Sequence, residues 1–240
     1  MSKPKIASSR LKTIAQGAAL LAGGLLTAHA QPFSGSSSGI FNDPVGGPDN
    51  ASPVTTGIGT SSITFGKADA ANATPNALKF TGASFSDIAS ETPFDVGSLY
   101  YLNGSTVGGT TLESVGLDLS LSFTVPSLGL EKFEFPLSIT TTPNNGNQAE
   151  SADYITLPAA SSTTFTVGPD TYTLKLSFGQ FTGGGYLDSD GTFRVYEGDS
   201  ATAPVEGIIT TDLRGVPDNG STLLLLGGAS ALLCCWRRRS

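Results

Sequence analysis

LDLSLSFTV, running from Leu117 to Val125, alternates apolar and polar side chains without a break. In an extended chain successive side chains point to opposite faces. Leu117, Leu119, Leu121, Phe123 and Val125 therefore line one face, and Asp118, Ser120, Ser122 and Thr124 the other. A helix would scatter the same residues around its circumference, whereas a half-buried β-strand sorts them cleanly. FEFPLSIT repeats the pattern with Phe133, Phe135, Leu137 and Ile139 inward, and YTLKLSF does so with Tyr172, Leu174, Leu176 and Phe178. Pro136 lacks an N–H and falls at a polar-facing position, which predicts an edge or a bulge there.

Shorter candidates extend the pattern: SITF from Ser62, ALKFTGASF from Ala77, VGSLYYL from Val96, DYITL from Asp153, TFTV from Thr164, TFRVYEG from Thr192 and EGIIT from Glu206. Asn103-Gly104, Gly168-Pro169-Asp170 and Asp190-Gly191 supply turn chemistry between them. No stretch of residues 31–215 carries a capped helical period, and no repeat of fixed length is present. About ten strands with frequent turns predict an all-β chain: a single jelly-roll-like β-sandwich over residues 40–215 with Thr/Ser-rich outer faces. QPFSGSSSG, residues 31–39, reads as a flexible lead-in.

Both ends have a different character. Lys3, Lys5, Arg10 and Lys12 precede an apolar run that closes on Ala28-His29-Ala30. A basic region, a short apolar region and a small-x-small site are the parts of a secretory signal peptide. Cleavage by signal peptidase after Ala30 would leave Gln31 first, so residues 1–30 are set aside. At the other end, VPDNGST (Val216–Thr222) leads into an apolar run and then Arg237, Arg238 and Arg239. The 15 residues from Thr222 to Trp236 would rise about 22 Å as a helix, short of a hydrocarbon core of about 30 Å. Such a segment can insert, and the arginines would hold its end on the cytoplasmic side, leaving the body outside. A short span behind a polar motif suits a processing signal better than a permanent anchor.

That tail resembles the C-terminal sorting signals of the PEP-CTERM type, in the variant form in which VPD-x-GST replaces Val-Pro-Glu-Pro. The matching positions are Val216, Pro217, Asp218, Gly220, Ser221 and Thr222 of residues 216–240; Asp218 and Asn219 stand where the better-known form has Glu and Pro. The resemblance implies recognition by an exosortase, transient anchoring in the inner membrane, and delivery to the cell surface or the extracellular matrix, where such systems accompany exopolysaccharide. In the body, SGIFNDPVGGP, TTGIGTSSITFG, ETPFDVGSLYYLNGST and YLDSDGTFRVYEG together resemble the extracellular choice-of-anchor K domain. That resemblance implies a modular exported β-domain and brings no catalytic residues with it.

Between the two ends lie 185 residues, enough for one domain with a real core. The ends take away seven of 13 basic residues and one of 20 acidic ones, so the body carries a net charge of about −13. Such a surface repels nucleic acid and anionic lipid. The only histidine, His29, leaves with the signal peptide, and both cysteines, Cys234 and Cys235, lie in the tail. The body can therefore host neither a Ser-His-Asp triad, nor a Cys-His pair, nor a zinc site of His or Cys ligands.

Three kinds of site remain. Asp188 and Asp190, followed by Gly191, echo the alternate carboxylates of a calcium loop. The distal bidentate Glu is missing at the matching spacing, and Asp-x-Asp-Gly is also an ordinary hairpin turn, so the sequence implies no required cofactor and names calcium as the one to test. Tyr100, Tyr101, Tyr186 and Tyr196 could serve a carbohydrate-binding or adhesive module. Carboxylate pairs for glycoside hydrolysis would come from Glu131 and Glu134, Glu150 and Asp153, or Glu197 and Asp199, yet most read as solvated acids and none is singled out. The expectation is a non-enzymatic exported structural protein, with glycan binding as the alternative and a carboxylate hydrolase third.

Overall fold

The computed structural model describes residues 32–47, 51–144, 146–157 and 162–212. Strands are numbered along the chain. Every pairing is antiparallel, and no helix occurs among the described residues. One sheet runs in the order β13 (Gly185–Leu187), β14 (Phe193–Val195), β9 (Asp153–Thr156), β8 (Gly129–Thr140), β7 (Ser114–Val125), β1 (Phe33–Val45), β5 (Ser84–Ile88). The other runs β10 (Ser162–Val167), β11 (Asp170–Phe178), β15 (Ser200–Asp212), β6 (Pro93–Leu102), β4 (Asn76–Gly82), β3 (Ser62–Phe65), β2 (Thr55–Thr56), with β12 (Thr182–Gly183) also on β15.

The alternating residues of β7, β8 and β11 meet in one buried cluster drawn from both sheets. Rings cross between the sheets: Phe33 of β1 lies 5.2 Å from Tyr172 of β11, Phe85 of β5 lies 4.9 Å from Phe94 of β6, and Phe178 of β11 lies 5.7 Å from Phe193 of β14. Edge-to-face and tilted contacts of this kind add to the ~1.5–3 kcal/mol that burying each large apolar side chain contributes. The architecture is a two-sheet β-sandwich. Its wiring departs from a jelly roll, because β2–β3–β4 and β7–β8–β9 run as meanders within one sheet instead of alternating between sheets.

Residues 33–39 are not a lead-in. They open β1, which pairs with β7 on one side and β5 on the other. The small residues Gly35, Ser37 and Gly39 stand opposite the large inward residues Phe123, Leu121 and Leu119. Their smallness admits neighbours: a Cβ on Gly39 would lie 2.7 Å from Phe80 and 2.9 Å from Leu117. Ser37 Oγ donates to the Val96 carbonyl and accepts from Ala83 N at 2.9 Å, tying β1 to the opposite sheet. A composition typical of a linker here is the complement of a crowded core.

Other expectations shift for equally local reasons. ALKFTGASF divides into β4 and β5 in different sheets, crossing at Gly82-Ala83, where a Cβ on Gly82 would strike the Ser37 carbonyl. Val125 lies at the end of β7 and is 41% exposed, so the inward face stops at Phe123. Pro136 faces Gly116 of β7, while β9 covers only Ser138–Thr140 on its other side, so the proline sits on the open edge as expected. Gly168-Pro169 and Asp190-Gly191 turn hairpins. Asn103-Gly104 does not: Asn103 is buried, donates to the Val195 carbonyl at 3.0 Å, and Gly104 N donates to Asn76 Oδ1 at 2.7 Å.

Candidate functional site

The residues of chemical interest gather at the β9–β14–β13 end of the first sheet. β9 is the sequence DYIT, and its alternation sends Asp153 and Ile155 into the molecule and Tyr154 and Thr156 outward. Asp153, expected to be a solvated acid, is 4% exposed. Tyr101 of β6 donates its hydroxyl to Asp153 Oδ2 at 3.2 Å, and Thr142 donates N–H at 2.7 Å and Oγ1 at 3.3 Å to Oδ1. The aspartate thus joins the two sheets and fixes the segment after β8. Burial pushes its pKa from 3.8 to about 6, with the Glu197 charge adding to the rise, although the bonds from Thr142 and Tyr101 oppose it. Burial and the neighbouring Asp153 carboxylate push the Tyr101 phenol well up.

Asp153 and Glu197 line a cavity of about 640 Å³, together with Thr140, Thr142, Asn144 and Gly104. Partial burial also raises the Glu197 pKa, against hydrogen bonds from Asn144 and Ser105. The acids that share a site are therefore one member from each of two sequence-proposed pairs, Glu150 with Asp153 and Glu197 with Asp199. Their sequence neighbours Glu150 and Asp199 are exposed, and so is Glu134 on the outer face of β8. Both oxygens of Asp153 are already engaged by the protein, which makes it a structural tie before it is a proton donor.

Outside the cavity, Tyr186 of β13, Arg194 of β14 and Tyr154 of β9 stand in direct cross-strand register on the outer face. The guanidinium carbon lies 4.4 Å from the Tyr154 ring centre and 5.8 Å from that of Tyr186, and Tyr186 lies 5.7 Å from Tyr196. Of the four tyrosines proposed from sequence, Tyr186 and Tyr196 meet here. Tyr100 faces outward on the other sheet, and Tyr101 is fully buried, so neither belongs to this surface. Tyr154 and Arg194 were missed; their outward positions in alternating strands were the available signal.

Asp188 and Asp190 occupy the β13–β14 hairpin. Asp188 Oδ2 accepts from Arg194 Nε at 2.8 Å, and Asp190 Oδ1 accepts from Thr192 N at 2.9 Å; the Thr192 side chain first, and this backbone amide second, hold the Asp190 carboxyl below its ordinary range. Gly191 takes the positive φ of the turn. The two carboxylates that echo a calcium loop are thus each engaged within the chain, one by an arginine and the other by a backbone amide. Among the described residues, no group of three or more His, Cys, Asp or Glu is gathered as a ligand set.

The sorting positions Val216, Pro217, Asp218, Gly220, Ser221 and Thr222, the arginines 237–239, and Ala28, Ala30 and Gln31 at the signal-peptide junction lie outside the described residues. Comparison with known protein families and with curated proteins found no match for this chain.

Proposed function

We propose that this chain is an exported bacterial cell-surface or extracellular-matrix structural protein, sorted by an exosortase and held only transiently at the inner membrane. The observation that carries the reading is the order of elements at the C-terminus: the VPDNGST motif, a short apolar run and three arginines, behind a chain that opens with a signal-peptide pattern. A compact, acidic β-sandwich without Cys in its described residues is in keeping with it, because such a domain has no thiol that needs a reducing compartment. The test is mass spectrometry of the protein recovered from the cell surface. The recovered chain should lack Cys234–Ser240, and replacing Pro217 and Asp218 should leave the intact tail in the inner membrane. Recovery of surface protein that still ends in Arg237-Arg238-Arg239 would replace the sorting signal with a simple anchor.

A second reading, a glycan-binding module of the exopolysaccharide layer, draws support from the Tyr186–Arg194–Tyr154 row, which puts aromatic rings and fixed polar groups on one open face. The hydrolase reading is weakened by the engagement of both Asp153 oxygens.

A further inference from the structure

Three of the six tyrosines in the chain, Tyr154, Tyr186 and Tyr196, gather around Arg194, the only arginine among the described residues. All four remain partly exposed: Tyr154, Tyr186 and Arg194 on strands of only three or four residues at the end of the sheet, and Tyr196 just beyond the end of β14. Cross-strand pairs stabilise a sheet by covering one another; that role does not require three rings to stay open to solvent around a single cation. We propose that this row is a binding site for a neutral polysaccharide chain. The rings of Tyr186 and Tyr196 would stack against the C–H faces of sugar rings, the Tyr154 ring, whose face carries the guanidinium, would hold Arg194 in place, and the Arg194–Asp188 pair would read a vicinal diol. The inference deepens the glycan-binding reading and rests on it.

The chemistry follows from the contacts. A ring face offers apolar area with a weakly negative surface, which suits the slightly positive C–H face of a sugar. Arg194 gives Nε to Asp188 Oδ2, so its terminal N–H groups are not used in that pair, and neither is Asp188 Oδ1. A donor and an acceptor fixed side by side match two adjacent hydroxyls, one accepting and one donating. The ligand class is neutral because Asp188 already balances the Arg194 charge and the body, at about −13, repels a polyanion. It is a chain because the row crosses three strands, about 10 Å at the usual strand spacing, which exceeds one sugar ring. Thr140, opposite Tyr154 on β8, also lines the cavity, and Glu197 follows Tyr196, so a chain laid along the row would reach the cavity rim.

The test is electrophoresis of the full-length protein, in mild non-ionic detergent, through native gels containing dextran, glucomannan, xyloglucan or alginate. At least one of the three neutral polymers should retard the protein, with retardation unchanged between low and high salt. Tyr186→Ala and Arg194→Lys should each weaken the interaction about tenfold. Tyr154→Phe should preserve it within about threefold, since the ring stays, and Tyr100→Ala, on the other sheet, should leave it unchanged. Far-UV circular dichroism of each variant separates loss of the site from loss of the fold; should Tyr186→Ala unfold the edge, Arg194→Lys carries the test alone. No retardation by any neutral polymer, retardation by alginate alone, or full retention in Arg194→Lys would overturn the proposal. None of these results would touch the sorting reading, which is decided by the mass of the tail.

Discussion

Replacing Asp153 with asparagine tests the energetic reading of the inter-sheet tie. In the folded protein the Asp153 pKa is raised from 3.8 to about 6, chiefly by burial. Between those pH values the folded state holds a proton that the unfolded state has lost. Stability from this group is therefore fully present below pH 3.8 and declines as pH rises through 6. The gap of about two pH units, at ~1.36 kcal/mol each, sets a ceiling of about 3 kcal/mol; water reaching the carboxyl from the cavity lowers this toward ~1 kcal/mol. Asparagine is neutral at every pH. Its Oδ1 can accept from Thr142 N, and its Nδ2 can donate to the Tyr101 hydroxyl oxygen, so the geometry of the tie survives. Asp153→Asn should match the wild type near pH 4 and exceed it at pH 7 by about 1–3 kcal/mol. For a domain of this size that is roughly 2–12 °C in Tm. Paired thermal melts from pH 4 to 8 read the difference directly, with all other carboxylates cancelling. A Tm difference that stays constant across this range would refute the argument, as would a wild type that gains on the variant as pH rises.

Gly39→Ala should lower stability by about 1–3 kcal/mol through overpacking against Phe80 and Leu117, while Ser36→Ala, on the exposed side of the same strand, should stay within about 0.5 kcal/mol. Equal, negligible effects in denaturant melts would return residues 33–39 to the status of a tether. Millimolar calcium should leave Tm unmoved, and Asp190→Asn should leave the melt unchanged, because the hairpin is closed by Arg194 and Thr192 N. Calcium bound at a hundred times its Kd would stabilise by about 2.7 kcal/mol, so a rise of roughly 5–11 °C would restore the metal loop.

The all-β class was legible in Leu117–Phe123, Phe133–Ile139 and Tyr172–Phe178, because period-two alternation is a local property that one face of a sheet must satisfy whatever it packs against. That residues 31–215 contain no histidine and no cysteine is likewise a property of the sequence alone, since folding supplies no side chains. The same alternation places Asp153 inward beside Ile155, a polar residue at a core position, and thus contains the one sequence-level sign of the buried tie.

What the sequence could not decide depended on partners distant along the chain. A run of Gly and Ser has no apolar face of its own, and β1 forms because Phe80, Leu117 and the β7 side chains occupy the space those residues leave. Asp153 and Glu197 are 44 positions apart, and although alternation turns Asp153 inward, only the folded chain brings the two acids to one cavity. Tyr154, Arg194 and Tyr186 become a row only through the registers of β9, β14 and β13, which are set by burial of Ile155, Phe193 and Val195 on the opposite face. Local pattern determined which side of each strand is wet; only the pairing of strands determined which wet residues meet.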